Sequence, residues 1–137
     1  MRERAVTAQD SILLIDDDEL VAGSLREYLV RGGSQVDVAV EPSSAEEMMH
    51  ARQYDVIVVD PYLTGGVFFD NGSAIDLVRR LQPSAAVIVL TAYSSPALAR
   101  IAADSSVSAV LEKPQPVVAL NDLIVRMSRE PSARAPG

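Results

Sequence analysis

Apolar runs of strand length alternate along this chain with stretches in which apolar residues recur every three or four positions. Ile12-Leu13-Leu14-Ile15 and Val56-Ile57-Val58-Val59 are apolar at every position, the mark of strands buried on both faces. Between them, Val21, Leu25, Tyr28 and Leu29 fall at i, i+4, i+7 and i+8 and predict one inward helix face, closed by Arg31-Gly32-Gly33. Gln35 to Val40 is a short β-branched second strand. Ser43-Ser44-Ala45-Glu46 then has capping-box spacing ahead of a helix with Ala45, Met48 and Met49 inward. The third strand, Tyr54 to Val59, leads into a long loop, after which Ala74, Leu77, Val78 and Leu81 predict a third helix ending before Pro83. Ala85 to Leu90 is a fourth strand delivering Thr91, and Ser95-Pro96 opens a fourth helix that continues through Leu98, Ile101 and Ala102. Val107 to Leu111 is a fifth strand ending at Glu112-Lys113-Pro114, and Leu120, Leu123, Ile124 and Met127 stripe a fifth helix.

Five strand-helix units in 137 residues predict an α/β fold with a parallel sheet covered on both faces. Right-handed crossovers favour the flavodoxin-like doubly wound order 2-1-3-4-5, with strands 1 and 3 side by side at the switch point. Residues 1–10 read as an N-terminal extension, 11–130 as one domain, and 131–137 as a disordered tail or linker stub.

Composition narrows the chemistry. The absence of cysteine excludes disulfides, thiolate metal sites and cysteine nucleophiles. A net charge of −7 opposes approach to a nucleic-acid backbone, so no direct nucleic-acid binding is expected. The apolar runs fall well short of the ~20 residues of a bilayer span, and Met1 to Thr7 lacks the apolar run of a secretory signal. A cytoplasmic protein with no membrane association is therefore expected.

The strand order carries two acidic clusters to one edge. Asp16-Asp17-Asp18 follows the first strand and Asp60 follows the third, while Thr91 and Lys113 end the fourth and fifth at the same rim. Gathered carboxylates repel one another and lose hydration, and a hard cation relieves both costs. Magnesium needs only one or two carboxylates beside water and phosphate oxygens, which Asp17 and Asp60 can supply, leaving an Asp60 oxygen as nucleophile. Thr91 offers a hydroxyl, Lys113 a positive charge, and the small Ala92 an open path. Asp18 and Glu19 read as a solvated helix start rather than as ligands, and His50 as a surface residue. Phe68 and Phe69 read as cover for the core beside the third helix, with a partner-contacting or site-covering flap as the alternative.

These motifs, in this order and spanning about Ser11 to Arg129, resemble the receiver domains of two-component response regulators, of the chemotaxis-receiver type. The resemblance implies that Asp60 accepts a phosphoryl group and that Asp16 and Asp17 handle Mg2+, with the Tyr62 carbonyl completing the metal site. Thr91 would be the switch hydroxyl and Lys113 the phosphate-pairing lysine, with a cis peptide at Lys113-Pro114. It also implies a sensor histidine kinase or histidine phosphotransfer protein as donor, a downstream protein or fused effector domain as target, and a phosphorylation-dependent dimer. No enzymatic activity is expected beyond the domain's own phosphorylation and dephosphorylation. The chain departs from the family pattern at Thr64, where a proline is usual, in the longer loop Gly65 to Gly72, and at Val110, where an aromatic switch residue is usual. Two other readings stand beside this one. A haloacid-dehalogenase-type phosphatase fits Asp16-Asp17-Asp18 but has Leu20 where threonine or valine is wanted, and leaves Asp60 unexplained. A non-phosphorylated pseudo-receiver fits Thr64 and Val110 but not the complete acid and lysine set.

Overall fold

The computed structural model describes residues 10–61, 73–92, 96, 99, 100, 103 and 107–129. Its elements are β1 (Ser11–Ile15), α1 (Glu19–Arg31), β2 (Gln35–Ala39), α2 (Pro42–Ala51), β3 (Val56–Val59), α3 (Ser73–Leu81), β4 (Ala86–Thr91), β5 (Ala109–Glu112) and α4 (Val117–Arg129). Pro96, Ala99, Arg100 and Ala103 are helical, in line with the helix expected between β4 and β5. The long loop with Thr64, Phe68 and Phe69 lies outside the described residues, as do residues 1–9 and 130–137.

All strand pairs are parallel, and their order is β2-β1-β3-β4-β5, as the alternation of elements predicts. Because successive side chains of a strand point to opposite faces, each apolar run feeds two cores. Leu13, Ile15, Ile57, Val59, Val87 and Val89 pack with Ala45 and Met49 of α2 and Ile75 and Val78 of α3. Ile12, Leu14, Val56, Val58, Ile88 and Leu90 pack with Leu25 and Leu29 of α1 and Leu120 and Ile124 of α4. Each of the Val, Leu, Ile and Met side chains contributes about 1.5–3 kcal/mol by leaving water.

The helix faces differ locally from those expected. In α1 the buried stripe is Ala22, Leu25 and Leu29, while Tyr28 is exposed. Alanine lets the helix lie close to the sheet, and the tyrosine keeps its hydroxyl in water. The capping box at Ser43–Glu46 does not form, because Pro42 occupies the first helical position, Glu41 is the N-cap, and no side chain caps α2. The fixed φ of proline starts the helix before Ser43 can. Helix α3 buries Ile75, which the predicted stripe omits, beside Val78. Helix α1 ends in a Schellman arrangement: Gly33 N–H bonds Val30 O at 3.0 Å and Ser34 N–H bonds Leu29 O at 3.1 Å. That turn places Gly33 at φ 102°, a conformation side chains resist. Strand β5 is an edge strand, so Ala109 and Leu111 pack inward while Val110 is 40% exposed.

Candidate functional site

The ladder sets the rim residue by residue. Ile15 pairs with Ala39 on one side and Val59 on the other, so the residues that follow, Asp16 and Asp60, leave the sheet together. Asp16 N–H donates to Ala39 O at 3.0 Å and Asp60 N–H to Ile15 O at 2.8 Å, fixing both backbones. At the far side Thr91 pairs with Glu112, and Lys113 N–H donates to Thr91 O at 2.8 Å. Asp16 and Asp60 are buried, Thr91 is fully buried, and Asp17 is half-buried at the mouth. The peptide bond between Lys113 and Pro114 is cis.

The Lys113 ammonium reaches across the crevice. Its Nζ lies 2.9 Å from Asp16 Oδ2, 3.1 Å from Asp16 Oδ1 and 3.0 Å from Asp60 Oδ2. Asp16 Oδ1 also accepts the Asp18 N–H at 2.9 Å, and Asp18 Oδ1 accepts the Val21 N–H at 3.3 Å as the N-cap of α1. Asp18 and Glu19 are thus the exposed helix start that the sequence indicates, although Asp18 Oδ2 also comes within 4.0 Å of Lys113 Nζ. His50 is exposed beside Glu46 on α2.

Burial and charge pull against each other here. Burial pushes the Asp16 carboxyl above the usual carboxylate range, and its bonds to Lys113 and the Asp18 N–H only partly offset this. Burial pulls Lys113 down, but hydrogen bonds and charge from Asp16 and Asp60 outweigh it and hold the ammonium above the usual lysine range. The group stays charged at neutral pH and shares its single positive charge between two buried carboxyl groups.

Oxygen donors of the kind magnesium selects are present in Asp16, Asp17 and Asp60. Among the described residues no group of three or more histidine, aspartate or glutamate side chains is already arranged around a metal position. Instead a lysine ammonium stands between the acids, a monovalent stand-in for the charge that a divalent ion would bring. The acids would suit a hard cation that keeps much of its water, with Asp16, Asp17 and Asp60 as the residues that would hold it. Tyr62, the expected carbonyl ligand, lies outside the described residues.

Sequence reasoning did not single out Gln82, a buried polar side chain with three hydrogen bonds to the backbone. It is fully buried behind α3; its Oε1 accepts the Tyr54 N–H at 3.0 Å, and its Nε2 donates to Met49 O and Arg52 O, both at 2.8 Å. It joins the end of α2 to the start of β3, the strand that carries Asp60. A glutamine just past a helix end carries no periodic signal, so only the fold reveals its role.

No helix among the described residues is long and apolar enough to cross a membrane. A solved structure of a response regulator from Burkholderia pseudomallei, with a phosphorylated aspartic acid and a calcium ion, is 32% identical over 91% of this chain and 72% of that one, with a TM-score of 0.75. The beryllofluoride-activated NtrC4 receiver domain dimer is 29% identical over 88% of this chain and 98% of that one, with a TM-score of 0.76. The photosynthetic apparatus regulatory protein RegA of Rhodobacter capsulatus is 30% identical over 76% of this chain and 55% of its own length. The chain spans between 24% and 60% of the length of the curated relatives it matches. A profile of the response regulator receiver domain matches residues 12–125, which takes in Asp16, Asp17, Asp60, Thr91 and Lys113. With that match laid over a 2-1-3-4-5 sheet whose carboxyl edge gathers buried acids around one lysine, the chain belongs to the response regulator receiver domains of two-component signalling.

Proposed function

We propose that Asp60 is the phosphoryl acceptor of this receiver, supplied by the phosphohistidine of a sensor kinase or a phosphotransfer protein. The observation that carries this is the 3.0 Å contact between Lys113 Nζ and Asp60 Oδ2 in a buried crevice. An Asp60 carboxylate oxygen attacks phosphorus, the new O–P bond forms as the P–N bond breaks, and the imidazole nitrogen keeps the electron pair. Lys113 turns from the carboxylate to the incoming phosphoryl oxygens, and the Thr91 hydroxyl serves as a donor to the same group. Asp16, Asp17 and Asp60, with the Tyr62 carbonyl, would hold Mg2+. When bound, the ion would neutralise charge building on the transferred oxygens.

The phosphorylated rim is then read by a downstream protein or fused effector domain, with dimerisation as one readout. We place this exchange in the cytoplasm and assign residues 11–130 to the receiver unit. The chain's own chemistry ends with slow hydrolysis of the acyl phosphate. The phosphatase alternative has no use for Asp60, which here sits buried on the lysine.

Metal dependence tests the assignment. Incubation with a small phosphodonor and magnesium should add one phosphate to wild type by intact mass, and a chelator should prevent it. Asp17→Asn should lower the labelling rate by about a hundredfold or more, with the thermal unfolding midpoint kept within a few degrees. Full labelling of that variant at the wild-type rate would remove Asp17 from the metal site.

A further inference from the structure

Beyond Asp16 and Asp60, one more carboxylate faces the ammonium. Asp18 Oδ2 lies 4.0 Å from Lys113 Nζ, too long for a hydrogen bond and within ion-pair range. The ammonium donates hydrogen bonds to Asp16 Oδ1 and Asp60 Oδ2, with Asp16 Oδ2 in ion-pair contact at 2.9 Å. Asp18 therefore adds charge and no bond. Its side chain is 44% exposed where that of Asp60 is 9% exposed, so it stands at the mouth of the crevice, on the solvent side of the acceptor. Its other oxygen is held by the Val21 N–H, so α1 fixes the carboxylate in place.

We propose that Asp18 is a positioning residue that sets the receiver's preference among phosphodonors: its fixed negative charge draws Lys113 outward and repels anionic donors in proportion to their charge. The proposal rests on phosphoryl acceptance by Asp60. Attraction toward Asp18 opposes the shift of Lys113 onto the phosphoryl oxygens, and the same charge raises the work of bringing an anion to Asp60. A small dianionic donor is disfavoured most, and a donor embedded in a protein surface with neighbouring cations least.

Two probes of unequal charge test this. Acetyl phosphate is a dianion near neutral pH; its phosphorus–oxygen bond breaks and acetate departs with the electron pair as the Asp60 O–P bond forms. Phosphoramidate is a zwitterion of net charge −1, already protonated on nitrogen, and releases ammonia as its phosphorus–nitrogen bond breaks. Asp18→Asn removes the charge and keeps a good N-cap, whereas Asp18→Ala removes both. Labelling rates are read by intact mass with magnesium saturating for each variant. Asp18→Asn should speed labelling by acetyl phosphate about fivefold at low salt and by phosphoramidate about twofold, and both gains should fade near 1 M salt, where the screening length is about 3 Å. Asp18→Ala should show the same kinetic pattern together with a lower melting temperature from the lost cap.

Wild-type rates in Asp18→Asn, or an acceleration equal for both donors and indifferent to salt, would overturn the proposal and leave Asp18 a helix cap alone. If wild type itself takes no label from either donor, phosphoryl acceptance by Asp60 fails first and this proposal falls with it. That outcome is distinct from normal wild-type labelling with an unresponsive variant.

Discussion

Replacing Gln82 by alanine should destabilise the domain by about 3–5 kcal/mol, a large share of what a domain this size has to lose. The side chain is fully buried and meets three backbone groups, Tyr54 N–H, Met49 O and Arg52 O. Truncation leaves all three facing a cavity, and each buried unpaired group costs about 1–3 kcal/mol. Gln82→Glu keeps an acceptor for Tyr54 but cannot donate to the two carbonyls and buries a charge, so it should be at least as damaging. Urea unfolding measures this through the midpoint at constant slope. A loss under about 1 kcal/mol for Gln82→Ala would mean that water or a backbone shift replaces the bonds.

Lys113→Ala should separate the two jobs of the rim. Without the ammonium, Asp16 and Asp60 face one another uncompensated in a buried site, which should cost about 3 kcal/mol at neutral pH in metal-free protein. The loss should shrink in acid, where Asp16, whose affinity for a proton burial already raises, is neutralised. At the alkaline end the sign is set by Lys113 itself. Its folded value lies above its ordinary 10.5, so its stabilisation is complete below that pH and disappears as pH rises through the folded value. The variant should lack this part of the alkaline slope. It should keep the part due to Tyr54, whose hydroxyl burial and a 2.6 Å bond to Asp37 also hold protonated. Magnesium, freed from a competing cation, should bind the variant about tenfold more tightly, while phosphorylation and its conformational readout should be impaired. Magnesium titration followed by urea melts at several pH values measures all of this. Unchanged metal affinity and stability would reduce Lys113 to a bystander.

The fold was legible because strand and helix periods alternate cleanly and because β1, β3 and β4 are apolar at almost every position, as parallel strands buried on both sides must be. The gathering of the rim residues was legible for a different reason: Asp16, Asp60 and Thr91 stand at the ends of such runs and Lys113 just past β5, so a correct strand order brings them to one edge. What periodicity missed were details decided by single competing interactions. Tyr28 fits the stripe of α1 but carries a hydroxyl, and Ala22, less apolar by side chain, takes the buried place. Pro42 pre-empts the capping box at Ser43. Gln82 joins three elements and belongs to no pattern. The 4.0 Å approach of Asp18 to Lys113 spans 95 positions of sequence, and nothing local announces it. Val110 was legible as a departure from the family pattern, and it occupies an exposed edge position with a β-branched side chain that has few rotamers.

Hydride trapping locates the phosphoryl group that Asp60 is expected to carry. An acyl phosphate is reduced by borohydride to an alcohol, so peptide mapping after labelling in magnesium should find homoserine at position 60 and at no other acidic residue. Asp60→Asn should yield no reduced residue anywhere. Reduction at Asp16, Asp17 or Asp18 instead, or label retained by Asp60→Asn, would contradict the account.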